Sequence, residues 1–280
     1  MTTFQKVIKY GAIAFAIYLA IVIIGMIIGI ITAIFGITIG IENYQNSVRE
    51  PQVITKQWEE DYSNIKNLDI DLSVCKLEIK KGDTLKIETA DITEQFECRA
   101  NGDTLKIKDN KLKINWFQDQ NLVPKVIIYI PDNIVFDKIA IEAGANDTNI
   151  EYIKADKIEL ETGVGKCNIQ NFVTDYARIE CGAGETIIND STIETLKLDS
   201  GIGRLVVTSK ITNNADVDSG VGEVELNLKG SEADYKINAQ KGLGSFTVDG
   251  KGVSDDETIG NGNAVIKIDA GVGKTTVNFK

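Results

Sequence analysis

The residues of this chain that could do chemistry are carboxylates on a fixed spacing. Glu142, Glu161, Glu180, Asp199 and Asp218 recur every 19 residues, and Asp269 continues the series after a neutral break at Gln240. Carboxylates in a row can cleave glycans by acid–base chemistry, hold a divalent cation, or recognise a basic partner. Cleavage needs a cleft and stacking platforms. Asp216, Asp218, Arg178 and Arg204 are the available charged members, and Tyr152, Phe172 and Tyr176 the available rings. All four charged residues sit in regular columns and no long insertion builds a cleft, so the pattern points away from an enzyme. The 280 residues contain no histidine, which removes imidazole bases, Ser-His and Cys-His pairs and His-containing metal sites. No cofactor motif is present. A Gly-x-Gly phosphate cradle needs a helix directly after the turn, and strand residues follow.

The four cysteines, Cys75, Cys98, Cys167 and Cys181, contain no CxxC pair. Cys75 and Cys181 fall in strand phase at apolar or small positions, where a free thiol packs as a small hydrophobe. Outside the cell, a Cys167–Cys181 or a Cys75–Cys98 disulfide is the open alternative.

What positions the carboxylates is a glycine repeat. Each lies two residues before a Gly-x-Gly: Gly163-Val164-Gly165, Gly182-Ala183-Gly184, Gly201-Ile202-Gly203, Gly220-Val221-Gly222 and Gly271-Val272-Gly273, with Gln240 before Gly242-Leu243-Gly244. Glu142 precedes the degenerate Gly144-Ala145-Asn146. One turn per 19 residues is the form of a solenoid, each glycine pair making the coil corner. The short-period calcium-binding β-roll lacks both this spacing and this residue set.

The columns specify strands. Ile141, Leu160, Ile179, Leu198, Val217, Ala239 and Ile268 stand three before the first glycine, and Ile139, Ile158, Ala177, Leu196, Ala215, Ile237 and Ile266 five before it. Ala143, Thr162, Cys181, Ser200, Ser219 and Ala270 form a small-residue column directly before the glycine, with Lys241 the misfit. Apolar residues two apart and β-branched predict an all-β, single-stranded parallel β-helix, its equivalent residues stacked about 4.8 Å apart. At that spacing neighbouring carboxylates repel by ~0.9 kcal/mol even in water. Arg178, Lys197 and Lys267 could offset some rungs, and a cation or a basic partner all of them. The column three after the glycine, Asp147, Lys166, Glu185, Arg204, Glu223, Ser245 and Lys274, nearly alternates in sign, which is cross-strand stabilisation without a ligand.

Thirty Lys and Arg against 41 Asp and Glu give a net charge of −11, a surface that repels nucleic acid and anionic lipid head groups. Abundant Ile, Lys and Asn suggest an AT-rich bacterial source. From Tyr10 to Ile41 no charged residue occurs. As a helix this run would reach about 48 Å, enough to cross a ~30 Å hydrocarbon core. Lys6 and Lys9 precede it, which places residues 1–9 in the cytoplasm and the remainder outside as a single-pass membrane protein. A cleaved signal peptide and a re-entrant hairpin near Gly25 or Gly29 are the competing readings. Gly25/Gly29 and Gly36/Gly40 could bring a second helix close.

Residues 42–64 read as a stalk with a helical turn around Trp58 and Tyr62. Residues 65–138 read as irregular first coils or a cap, and residues 139–280 as the regular coils. Gly82 to Ile87 returns as Gly102 to Ile107, each a turn feeding a strand. Val126 to Ile130, bounded by Pro124 and Pro131, reads as a strand apolar on both faces that joins cap to coils.

The Ile128-Tyr129-Ile130-Pro131-Asp132 strand end, the coil start from Ile139 to Gly144 and the serial Gly-x-Gly coils together resemble the bacterial adhesin-like family of membrane-anchored β-solenoid domains, over Ile65 to Lys280. The resemblance implies a parallel β-helix at the cell surface and no catalytic residues. The expected function is therefore non-enzymatic binding of an envelope component or another protein, with the bilayer as partner of residues 10–41. The alternative is an envelope-stress or regulatory accessory acting through its membrane helix on a sensor.

Overall fold

The computed structural model describes residues 56–58, 64–92, 96–109 and 123–280. The expected membrane helix, residues 10–41, lies outside them. No helix among the described residues is long and apolar enough to cross a membrane.

The described residues are all-β apart from one 3-10 turn at Glu232–Asp234. In chain order the strands are β1 (Lys56–Trp58), β2 (Asn67–Lys81), β3 (Lys86–Ala90), β4 (Phe96–Asn101), β5 (Thr104–Asp109), β6 (Lys125–Ile130), β7 (Phe136–Ile150), β8 (Ile153–Gln170), β9 (Phe172–Leu228), β10 (Tyr235–Gln240), β11 (Leu243–Val248), β12 (Lys251–Gly252), β13 (Glu257–Ile259) and β14 (Ala264–Phe279). The long ones are coils bent at the glycine corners. β7 pairs in parallel with β8, and β8 with β9, with Ile141 on Leu160 on Ile179 and Thr148 on Cys167 on Thr186. β9 alone supplies three coils, cornered at Gly182, Gly201 and Gly220.

Each coil contributes three buried pairs. In the coil of β8 these are Ile153 with Ala155, Ile158 with Leu160, and Cys167 with Ile169, all under 4% exposed. The first pair has no counterpart in the columns that the sequence made visible, because its partners Phe172 and Thr174 do not share one residue type. Stacked side chains of this kind form one continuous core from Ile65 to Val277.

The two ends depart from sequence order in the same way. β2 stacks in parallel directly on β7, Ile70 on Ile141 and Leu77 on Thr148, with Ser73 where later coils carry their first glycine. Outside β2 lies a coil made of two strands, β5 against Asn67–Asp71 and β6 against Lys76–Lys81. At the other end β14 stacks on the last coil of β9, Val272 on Val221 and Gly273 on Gly222. β10 and β11 lie outside β14, Leu243 on Val272. The glycine series therefore stacks in the order Gly220, Gly271, Gly242 rather than in sequence order. The reason is local. Ala270 presents the small side chain an interior corner needs, whereas Lys241 in the same column is exposed and fits only an outer coil.

Antiparallel strands close both ends. β3 pairs with β6, β1 with β3 and β4 with β5 at one end; β13 pairs with β10 and β12 with β11 at the other. They cover the apolar interior and pair backbone edges that an open solenoid would expose. β6 is accordingly flanked by β2 and β3 within the cap and does not join cap to coils in space. It buries only Val126, Ile128 and Ile130, while Ile127 and Tyr129 stay half-exposed. Trp58 is not in a helical turn but in β1, opposite Ile87 of β3.

Candidate functional site

Neither glycine of a corner has room for a Cβ, and the second also needs a backbone that only glycine adopts readily. The second takes a positive φ, 139° at Gly203 and 142° at Gly222. The first has ordinary φ but no space: a Cβ on Gly182 would lie 2.2 Å from the carbonyl oxygen of Gly163. Corners thus stack backbone on backbone, and this fixes the columns on either side in register.

The structure brings the sequence-identified carboxylates together. Glu142 pairs with Glu161, Glu161 with Glu180, and Asp269 with Asp218, while Asp199 holds the rung between Glu180 and Asp218 by the 19-residue period. Asp71 extends the column, paired with Glu142. No glycine follows Asp71 to mark its phase; its trace in the sequence is the Leu68-Asp69-Ile70-Asp71-Leu72 alternation, which matches Ile139 to Ala143. The column is seven carboxylates long and ends on compensating groups. Lys108 lies 3.4 Å from Asp71 at one end, and Gln240 pairs with Asp269 at the other.

Between these ends charge is poorly offset. Arg178 pairs with Glu180, whereas Glu142, Glu161, Asp199, Asp218 and Asp269 have no ion-pair partner among the described residues. Asp218 shows the cost. Partial desolvation, a hydrogen bond with Asp199 and repulsion from Asp216, Asp199 and Asp269 raise its carboxyl above the ordinary 3.8. Glu159, one column over, is the contrast: hydrogen bonds from Lys138 and Lys157, at 2.5 and 2.7 Å, hold its carboxyl below the ordinary range.

The alternating column behaves as cross-strand chemistry predicts. Arg204 reaches Glu185 at 3.0 Å and Glu223 at 3.7 Å, Lys274 reaches Glu223 at 3.1 Å, and Lys166 stands 4.0 Å from Glu185. From Lys166 to Lys274 its charges pair within the molecule.

A groove of about 530 Å³ runs along the acidic column. Glu161, Glu180, Asp199 and Asp218 form one wall, and the small residues Thr162, Cys181, Ser200 and Ser219 with the first glycines form the rest. It is open to solvent and spans four rungs, a shape for a linear ligand rather than an enclosed small molecule.

The other candidates are separated from this groove or used elsewhere. Phe172 is 1% exposed and cannot stack on a sugar. Tyr152 lies under the Lys81 ammonium and Tyr176 under that of Lys157, at 4.5 and 5.6 Å. Cys167 and Cys181 are free thiols, not joined to each other. Burial, with a smaller contribution from Asp109, pushes Cys75 up to about 12, and burial raises Cys167 as well, so neither offers a thiolate at neutral pH. No group of three or more Cys, Asp or Glu is arranged to hold a metal ion among the described residues.

No curated protein sequence is significantly similar to this chain. Among solved structures, a "putative adhesin" from Bacteroides fragilis is similar over 81% of this chain and 97% of its own, with 13% identity and a TM-score of 0.47. A "putative cell adhesion protein" from Clostridium sporogenes is similar over 82% and 100%, with 15% identity and a TM-score of 0.40. The family model that matches is Toastrack DUF4097, over residues 65–278, and the chain belongs to that family.

Proposed function

We propose that this protein is a non-enzymatic binding module of the cell envelope, tethered by residues 10–41 with its solenoid outside the membrane, and that the acidic column is its recognition surface for a cationic partner. One observation carries the reading: seven in-register carboxylates of which only Asp71 and Glu180 have an ion-pair partner among the described residues, beside a column in which Lys166, Glu185, Arg204, Glu223 and Lys274 pair with one another. A fold that needed only a solvated face would be more stable with the alternating pattern in both columns. The uncharged run from Tyr10 to Ile41 and the preceding Lys6 and Lys9 support the tether and its orientation.

The experiment is binding of polylysine to the full-length protein in zwitterionic nanodiscs, with native column and with E161Q/E180Q/D199N/D218N. Salt-sensitive binding to the native protein that falls about tenfold in the variant supports the reading. Equal binding to both overturns it. Protease shaving of intact cells tests the orientation: loss of the solenoid is expected, and protection refutes it.

A further inference from the structure

The middle residues of the Gly-x-Gly corners form a surface of their own. Ala145 pairs with Val164 and Val164 with Ala183; Leu243 pairs with Val272 and Val272 with Val221. Gly203 stacked on Gly184 and Gly222 on Gly203 carry Ile202 into the same line. The result is one aliphatic crest along the outside of the corner, about 29 Å long at the spacing of stacked strands. It is not incidental exposure. Val164 (57%), Ile202 (50%), Val221 (50%), Val272 (48%) and Leu243 (75%) are five of the eight large exposed apolar side chains among the described residues. Glycines on both sides carry no side chain to shield them.

The surroundings select the occupant. The crest covers a few hundred Å² at most, against about 800 Å² per partner for a stable globular interface, so its shape fits a narrow, linear partner. Its backbone groups are already paired rung to rung and offer no ladder to an added strand, so the partner must satisfy its own backbone, as a helix does. A helix of about 20 residues spans the same length. The two flanks differ. On one, the Lys166–Glu185–Arg204–Glu223–Lys274 column neutralises itself; on the other, the groove is walled by Glu161, Glu180, Asp199 and Asp218. An anionic lipid surface is repelled by that wall.

We infer that the crest and groove together dock an amphipathic cationic helix, its apolar stripe on Val164, Ile202, Val221 and Val272 and its lysines or arginines along one edge, against the carboxylates. The inference rests on the acidic column being a recognition surface and adds the class of partner.

The test uses the full-length protein in zwitterionic nanodiscs and a fluorescent helical peptide of about 20 residues, leucine on one face and lysine along one edge, read by anisotropy with empty discs subtracted. The native protein is expected to bind it, V164S/I202S/V221S to bind it about tenfold more weakly with an unchanged melting temperature, and a leucine/glutamate peptide to bind about tenfold more weakly. These crest residues are exposed, so the variant keeps its core. Native binding that the crest variant retains overturns the crest as a docking surface while leaving the polylysine result standing. A signal no greater than that of empty discs overturns the helix as partner in the same way.

Discussion

At the scale of single residues, a corner glycine differs from an open turn glycine by the rung stacked against it, and one pair of variants shows the difference. Gly203 has a φ of 139°, and a Cβ there would stand 1.9 Å from the Gly184 carbonyl oxygen; Gly102 has a φ of 65° with nothing within 4 Å. Gly203→Ala is expected to lose about 3 kcal/mol or more in urea unfolding, and Gly102→Asn, which tolerates that φ in open space, under about 1 kcal/mol. Similar losses at both positions would contradict the stacked-corner account. Asp218 gives a pH signature. Because its carboxyl is raised in the fold, its contribution to stability is fully present below the ordinary 3.8 and is lost as pH rises through the raised value. Asp218→Asn is therefore expected to melt higher than the native protein at pH 7, with the advantage fading below pH 3.8. The acidic column was legible in the sequence because glycine spacing marks its phase. The crest was not, since Val, Ala, Ile and Leu between glycines read as turn filler until their outward direction is known.

At the scale of elements, the ends are closed by the same device. Asp109, only 7% exposed, accepts hydrogen bonds from the amides of Ser73 at 2.8 and 2.9 Å and of Val74 at 3.4 Å, at the corner of β2, where an interior coil would have the next corner stacked on it. Asp255 accepts from the amide of Lys241 at 2.9 Å, at the corner of the outermost coil opposite. Each carboxylate replaces a missing rung. Burial raises the Asp109 carboxyl and the corner amides counter it. Asp109→Ala strands those amides and is expected to cost about 1–3 kcal/mol in chemical denaturation; a neutral result would mean that water serves them equally well. Sequence periodicity finds strands whose neighbours repeat them, and β7 to β9 were read that way. It does not find a strand whose neighbour runs antiparallel, so β1 reads as stalk and β6 as a connector until the pairing is seen.

At the scale of the whole molecule, stacking order is the property that spacing could not supply. A 19-residue period predicts neighbours in sequence order, and the coils from Gly144 to Gly220 obey it. Beyond Gly222 the spacing widens because the chain passes one rung out to build β10 and β11, then returns to fill the gap with β14. Lys241, in a column of small residues, was the trace of this in the sequence. Deleting residues 264–280 separates the two arrangements. A sequential solenoid would lose its last coil and keep the one before. Here Tyr235–Ile259 loses β14, the strand between it and β9, and its amides are expected to exchange hydrogen as fast as an unfolded segment; protection as in the full chain would refute the order. The enclosed terminal coil also bears on how such a chain can change length over time. Both extremities are locked by out-of-order strands, so a duplicated unit appended to either end would have no seat. Gain or loss of a repeat unit can be absorbed only in the midsection, where each rung meets two alike, and relatives of different height should share their two lids and differ in the number of storeys between.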